Sequence, residues 1–522
     1  MLFNSFEFIF LFLPVTVLGF YALGKAGGVR PAMGWLVAAS LFFYGWWNPA
    51  YLALIIFSVL FNFVVGLFLS KSDLALKIRR LVLVLGISTN LGLIGYYKYA
   101  NFFVDTINGV TGAGFELFPI LLPIGISFFT FQQIAFLVDA FQKKTKEYRF
   151  LHYCLFVTFF PQLIAGPIVH HLEMMPQFAK RGIFQFKLSN FSVGLTIFCI
   201  GLFKKVVIAD GVAVYSTPIF DAALLGGAPT FTQAWGAALA FTFQLYFDFS
   251  GYSDMAIGLG RLFGIRLPLN FHSPYKANSI IDFWHQWHMT LSRFLREYLY
   301  FPLGGNRKGT LRRHLNVLIT MLLGGLWHGA NWTFVFWGGL HGLFLVVNHA
   351  WRKLRETLGW TVGSSRLGRG AARLCTFFAV VVTWVFFRAE NIDTAWSMIF
   401  AMAGFNGVVL PEKSFFLLGP AGLLLSELGV RFEAPPAGHW EVVKEMTAYI
   451  FLLAIVWFAP NTQEIMSRYR PALQTYANLK WGSYPKWAYW RPDLRWSFFS
   501  AVVASAAVLG LTQISEFLYF QF

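Results

Sequence analysis

The stretch YLALIIFSVLFNFVVGLFL, residues 51–69, decides the fold class. It carries no charged side chain, and as a helix rising 1.5 Å per residue it reaches about 28 Å, close to the thickness of a hydrocarbon layer. Similar runs lie at 8–23, 33–47, 81–97 and 117–141. The composition agrees: of 522 residues, 57% are hydrophobic, 19% aromatic and only 12% charged. A soluble chain carries roughly 25% charged residues and needs them to cover its core. Disorder, a nucleic-acid-binding arm and an ordinary soluble enzyme are excluded. The expectation is an all-α polytopic membrane protein.

The basic residues follow membrane topology. Lys25 and Arg30 fill the first loop, Lys71, Lys77, Arg79 and Arg80 the third, and Lys143, Lys144, Lys146 and Arg149 the fifth. The loops around Asn48 and across 105–116 are almost free of them. Positive charge prefers the cytoplasmic side, so the amino terminus is expected outside. The net charge of +17 is therefore a feature of topology, and no nucleic-acid partner is implied. Met1 to Glu7 holds no Lys or Arg, so no cleaved signal is expected. Cys154, Cys199 and Cys375 all lie in apolar stretches, which argues against a disulfide framework.

Further along, the pattern breaks. Residues 155–169 contain Pro161, Gly166 and Pro167 and run into His170, His171 and Glu173, which reads as a broken or re-entrant segment. Asp248, Ser250, Tyr252 and Asp254 sit among apolar residues and should face protein or water, not lipid. Residues 270–313 are too polar to span but rich in aromatics, as suits a helix lying at or dipping into the interface. Spans resume at 314–326, 332–347, 374–387, 447–458 and 496–511, with loop-like stretches at 411–445 and 460–493. Roughly 11–13 membrane segments result, re-entrant pieces included. No loop is long enough for a separate domain of about 100 residues, so 1–522 reads as a single membrane domain.

Two constellations carry possible chemistry. In DFWHQWHMTLS, Asp282, His285, His288 and Ser292 fall at i, i+3, i+6 and i+10, one stripe of a helix. That stripe can position a reactive group or hold a carbonyl. A metal is not expected, because zinc sites on one helix use histidines at i, i+4 and a third ligand that is not readable here. The plainer alternative is an interfacial helix whose histidines bond backbone carbonyls. The second constellation is LWHGANW at 326–332, followed by WGGLHG at 337–342. A helix starting near His314 carries His328 about 21 Å into the membrane. An imidazole at that depth suits a general base; its alternative is a core histidine satisfied by Asn331. Gly324, Gly325 and Gly329 would let another group approach closely, and His341 reads as a packing residue. Gly304 to Lys308 lacks the spacing of a phosphate loop. With Arg293, Arg296, Arg312 and Arg313 it forms a basic surface for donor phosphates or lipid headgroups, unless positive-inside topology alone explains it.

These constellations, with LPIGISFFTF (122–131), FFPQLIAGP (159–167), DFSGYSD (248–254), YLYFPLGGN (298–306) and the carboxy-terminal FLYFQF (517–522), resemble the membrane-bound O-acyltransferase family. The likeness is greatest to its bacterial branch that O-acetylates alginate and related exopolysaccharides. It implies a funnel of helices in the bacterial inner membrane, where a cytoplasmic thioester, acetyl-CoA, meets an acceptor from the other face. It implies no resident cofactor. By the same resemblance His328 is the catalytic histidine and His288 the second catalytic position; from their places in the two constellations, His285, Asp282, Ser292 and Asn331 are read as supporting or binding the donor. It further implies periplasmic partner proteins with serine nucleophiles and an exopolysaccharide, most simply alginate, as final acceptor. Cellulose and peptidoglycan are alternatives, as is a non-catalytic conduit or transporter. A transporter should show an inverted repeat and charged pairs across its midplane; no repeat is visible.

Overall fold

The structure is a computed structural model. It describes all residues except 72–73, 118–119, 146, 148, 360–364, 436–437, 474–481, 513–517 and 519–522. Lys146, Phe517 and the run 519–522, and parts of the segments 117–141, 411–445 and 460–493 discussed above, lie outside the described residues.

Helix dominates, as expected for a chain this poor in charge. Among the described residues, five helices are long and apolar enough to cross a membrane: Glu7–Ala26, Ala50–Ser70, Leu76–Thr111, Leu188–Ala213 and Arg366–Arg388. Others of at least twenty residues, such as Phe231–Leu262, Gly309–His328 and Trp332–Thr357, are more polar. The β structure among the described residues is small, a parallel pair of three-residue strands at Val409–Pro411 and Arg431–Glu433 and one isolated bridge.

Several boundaries differ from the sequence reading, each for a local reason. The run 81–97 belongs to the longer helix Leu76–Thr111, which continues through a π-helical turn at Gly95–Tyr99. Within the run 117–141 a helix begins at Ile126, where Gly125 takes a left-handed conformation with φ of 72° just after Pro123. The segment 155–169 is broken as expected: Phe150–Thr158 ends, Phe160–Leu163 makes one turn, and His171–Phe178 follows an extended link. Residues 270–313 do not form one interfacial helix. They fold into short helices at Ile280–Trp284 and Met289–Leu295 and a π-helical turn at Arg296–Tyr300, with Phe271, Tyr275, Trp287 and Leu291 buried in protein.

The polar residues on Phe231–Leu262 face protein. A π-helical turn at Lys204–Ala209 directs two adjacent lysines at that helix. Lys204 pairs with Asp254 at 2.6 Å, and Lys205 with Asp248 at 2.6 Å and Asp210 at 2.7 Å. The two helices touch backbone to backbone: a Cβ on Gly201 would stand 2.6 Å from the Gly251 carbonyl oxygen. Only glycine permits that approach.

Among the described residues the buried apolar side chains form two clusters. One includes Phe3, Phe160, Phe294 and Trp327. The other includes Phe249, Trp287, Trp337, Trp384 and Phe387. The functional histidine candidates lie where these clusters meet.

Candidate functional site

His328 is the last residue of Gly309–His328. It lies fifteen residues beyond Arg313, about 22 Å along the axis. The chain turns at Gly329–Asn331 and returns as Trp332–Thr357, a hairpin with His328 at its tip. The glycines here admit protein, not a ligand. A Cβ on Gly325 would meet the Phe334 carbonyl oxygen at 2.2 Å, one on Gly338 the Met321 oxygen at 2.3 Å, and one on Gly329 the Phe334 ring at 2.1 Å. A Cβ on Gly324 would stand 3.1 Å from the Leu295 side chain, which would have to give way slightly. For Gly325, Gly329 and Gly338 the close packing is therefore between the two arms of the hairpin.

His288 is fully buried and its ring centre stands 6.3 Å from that of His328, with the planes at 62°. It adopts a left-handed backbone, φ 41° and ψ 53°, which is unfavourable for a non-glycine residue and needs support from its surroundings. Asn270 supplies it. Its main-chain oxygen accepts from the Met289 N–H at 2.9 Å, and its Oδ1 accepts from the Thr290 N–H at 3.3 Å. The Thr290 hydroxyl accepts from the Ile168 N–H at 3.0 Å and donates to the same Oδ1 at 2.9 Å. His288 Nδ1 lies 3.1 Å from that oxygen. An amide oxygen can only accept, so Nδ1 carries a proton and the neutral ring presents its lone pair at Nε2. Neutral His288 is thus a proton acceptor at Nε2; donating a hydrogen bond to a carbonyl there, the role expected from the sequence, calls for its charged form.

The left-handed turn at His288 dissolves the stripe expected across 282–292. Asp282 works at the start of its short helix: its N–H donates to Ser279 Oγ, its carboxylate accepts from the same hydroxyl, and Arg352 stands 3.7 Å away. His285 is exposed, and Ser292 turns its hydroxyl toward the Trp287 carbonyl at 3.4 Å. Asn331 does not serve His328 either. Its Oδ1 caps Trp332–Thr357 by accepting from the Thr333 N–H at 3.0 Å, and its Nδ2 donates to the Glu390 carbonyl at 2.7 Å. Of the six residues singled out, the structure brings together only His288 and His328.

Aromatic rings enclose that pair. Phe249 meets His288 edge-on at 4.8 Å, while Trp327, Trp337 and Phe387 lie 5.0 to 5.2 Å from His328. A file of rings leads away from Trp327 through Phe131 at 5.3 Å, Phe294 at 4.1 Å and Tyr298 at 5.1 Å to His170 at 5.7 Å. It ends in a polar cluster where the Tyr298 hydroxyl lies 3.0 Å from Asp139 and Arg293 clasps Glu173 at 2.6 and 2.9 Å. His341 is buried among the same tryptophans: Trp284 donates to its Nδ1 at 3.2 Å, leaving its Nε2–H for Thr383 at 3.0 Å. It packs, as expected. Among the described residues no three His, Cys, Asp or Glu side chains gather as a metal would require.

Against the hairpin tip lies a cavity of about 750 Å³, lined by Lys98, Asn101, Asp221, Asn331, Arg388 and Glu390 among others, with Phe334, Phe387 and Gly329 also in its wall. Lys98 reaches the tip itself. Its ammonium donates to the carbonyl oxygens of Trp327 at 2.6 Å and His328 at 3.0 Å, and the neighbouring Tyr99 hydroxyl donates to that of Leu326 at 2.9 Å. Asn270, Lys98 and Tyr99 escaped the sequence reading. Lys98 had a signal, being an ionisable residue at the end of an apolar run. Asn270 had none without knowledge of its tertiary partners.

The pattern that defines the membrane-bound O-acyltransferase family matches residues 42–388. The chain belongs to that family and is an enzyme, a multi-pass membrane O-acyltransferase of the O-acetyltransferase type. A peptidoglycan O-acetyltransferase of Helicobacter pylori is 46% identical over 441 residues, 79% of this chain and 82% of the relative. A protein of Azotobacter vinelandii named "Probable alginate O-acetylase AlgI" is 43% identical over 422 residues, 79% of this chain and 80% of the relative. A teichoic acid D-alanyltransferase of Streptococcus thermophilus is 27% identical over 245 residues, 45% of this chain and 59% of the relative.

Proposed function

We propose that the protein takes an acetyl group from a cytoplasmic thioester, acetyl-CoA, and delivers it through the membrane for O-acetylation of a polysaccharide. The observation that carries this reading is the pairing of His328 and His288, at the junction of two apolar cores, between a basic end and a polar cavity. The basic end, with Arg312 and Arg313, faces the cytoplasm of a bacterium with the protein in its inner membrane, and the cavity opens to the periplasm. All of 1–522 serves as one membrane domain.

In the reaction, an imidazole takes the proton of an incoming hydroxyl as the hydroxyl oxygen attacks the thioester carbonyl carbon. The tetrahedral intermediate collapses, the C–S bond breaks, and the thiolate leaves with the proton returned from the imidazolium. The products are an acetyl ester and a free thiol. His328 fits the base; neutral His288, with its lone pair at Nε2, fits a partner that accepts a hydrogen bond or a proton beside it. No resident cofactor is required. The immediate acceptor is a serine hydroxyl of a periplasmic partner protein, which passes the acetyl group to the polymer; no loop is large enough to make a sugar-binding domain.

Alginate or a related exopolysaccharide is the polymer we favour. Peptidoglycan is the second reading, and the 46% identity to the Helicobacter pylori enzyme favours it. Mass spectrometry of the host's surface polymers, with the protein, without it, and with His328→Ala, tests both. We expect acetyl esters to vanish from one polymer in the deletion and the variant alike while its export continues. Normal acetylation with His328→Ala would overturn the assignment.

A further inference from the structure

We infer that Lys98 is a positioning residue for acyl transfer: its ammonium holds the helix end that bears His328 and cancels the negative pole of that helix beside the reacting carbonyl. This rests on the function proposed above.

The need arises from the hairpin. A helix leaves its last carbonyl oxygens without intrahelical partners, and its carboxy-terminal end carries roughly half a negative charge. In Gly309–His328 that end is the site itself, since His328 is the final residue. Thioester attack builds negative charge on the carbonyl oxygen, and a negative helix pole nearby opposes it. Asn331, whose side chain caps the next helix, leaves these carbonyls alone.

Lys98 meets the need from a different helix. The π-helical turn Gly95–Tyr99 lets the adjacent side chains of Lys98 and Tyr99 both reach the tip of the hairpin. Such turns are rare and recur at functional sites. The three carbonyls they bind are consecutive: Leu326 by Tyr99, Trp327 and His328 by Lys98. The ammonium also stands 5.9 Å over the Trp327 ring. Lys98 has three N–H donors, so these two bonds leave a third, and the residue lines the polar cavity. A cation lining a cavity and held against the backbone of His328 is fixed in place before any substrate arrives.

Three substitutions separate charge from hydrogen bonding. Lys98→Arg keeps both, Lys98→Gln keeps a donor without charge, and Lys98→Met keeps neither. Membranes of the native host carrying each variant are given labelled acetyl-CoA, and label entering the polymer is measured against donor concentration, normalised to folded protein. We expect Lys98→Gln and Lys98→Met to lose about tenfold to thirtyfold in kcat, with KM for acetyl-CoA within twofold of wild type. Lys98→Arg should recover most of the loss. A residue that merely supports the fold would lower the amount of folded protein without this split. Lys98→Gln at wild-type kcat overturns the inference, and so does Lys98→Arg no better than Lys98→Gln. If Lys98→Met fails to fold, the Arg–Gln comparison decides. The acetyl content of the polymer in whole cells ranks the same variants whatever the donor is. His328→Ala, run alongside, tests the proposed function separately: its activity would sink that reading, whereas a dead His328→Ala beside a fully active Lys98→Gln sinks only this one.

Discussion

Asn270 holds His288 in one tautomer, its Oδ1 3.1 Å from the ring Nδ1 and anchored by two further bonds from Thr290. If the lone pair at Nε2 is what the reaction uses, the anchor matters as much as the ring. Asn270→Leu removes the acceptor, frees the ring to turn and leaves the Thr290 N–H unpaired. We expect transfer to fall about 10²-fold and stability by about 1–3 kcal/mol. Asn270→Asp keeps an acceptor at the same place and should retain far more activity. Polymer acetylation and thermal unfolding in detergent are the measurements; equal activity for the two variants would contradict the tautomer argument.

The hairpin makes a sharper demand on its glycines. Gly338→Ala would drive a Cβ to 2.3 Å from the Met321 carbonyl oxygen, backbone that cannot swing aside. The arms must separate, at about 1–3 kcal/mol. Gly92→Ala, where a Cβ meets nothing within 4 Å, is the control and should be neutral or slightly stabilising. Thermal unfolding of the two purified variants compares them directly. Gly338→Ala at wild-type stability would mean that the arms are less tightly apposed than described.

Lys205 and Asp248 form a buried pair 2.6 Å apart. Asp248→Ala takes this carboxylate from Lys205 while the Asp210 pairing stays, and removing one partner of a buried pair costs about 3–5 kcal/mol. Replacing all three charged groups, Lys205→Met with Asp248→Leu and Asp210→Asn, should restore most of that stability, because uncharged side chains need no desolvation of charge. A triple variant as unstable as the single one would show that Lys205 is required for something besides these partners.

The sequence made much of this architecture legible, and the places where it failed share a cause. The run 51–69 became Ala50–Ser70, because a stretch that apolar has one solution in a membrane. The break after Thr158 was visible in Pro161, Gly166 and Pro167. His328 stood out through its depth in an apolar run, and His288 through its polar neighbours. The stripe of Asp282, His285, His288 and Ser292 failed because it assumed an unbroken helical period. His288 breaks that period with a left-handed backbone that no adjacent glycine or proline announces. What stabilises the break is Asn270, eighteen residues earlier. Likewise Asn331 sits next to the hairpin tip in sequence yet spends its side chain on a helix start and on the Glu390 carbonyl. Local pattern fixes elements; the partners that convert a histidine into a particular tautomer come from distant segments.

The rings around the histidine pair have a consequence for the cell that carries this protein. An enzyme reached by one reactant from the cytoplasm and by another from outside runs the risk of being an ion leak. A charge driven through it by the membrane potential would gain about 2.3 kcal/mol per 100 mV. Phe249, Trp327, Trp337 and Phe387 close around the imidazoles. A hydrated ion passing between them would have to shed its water against hydrocarbon faces, which far outweighs that gain. An acetyl group, small and uncharged, meets no such penalty. On the function proposed above, the same packing that shapes the site acts as a seal, letting an ion gradient stand while acyl groups cross.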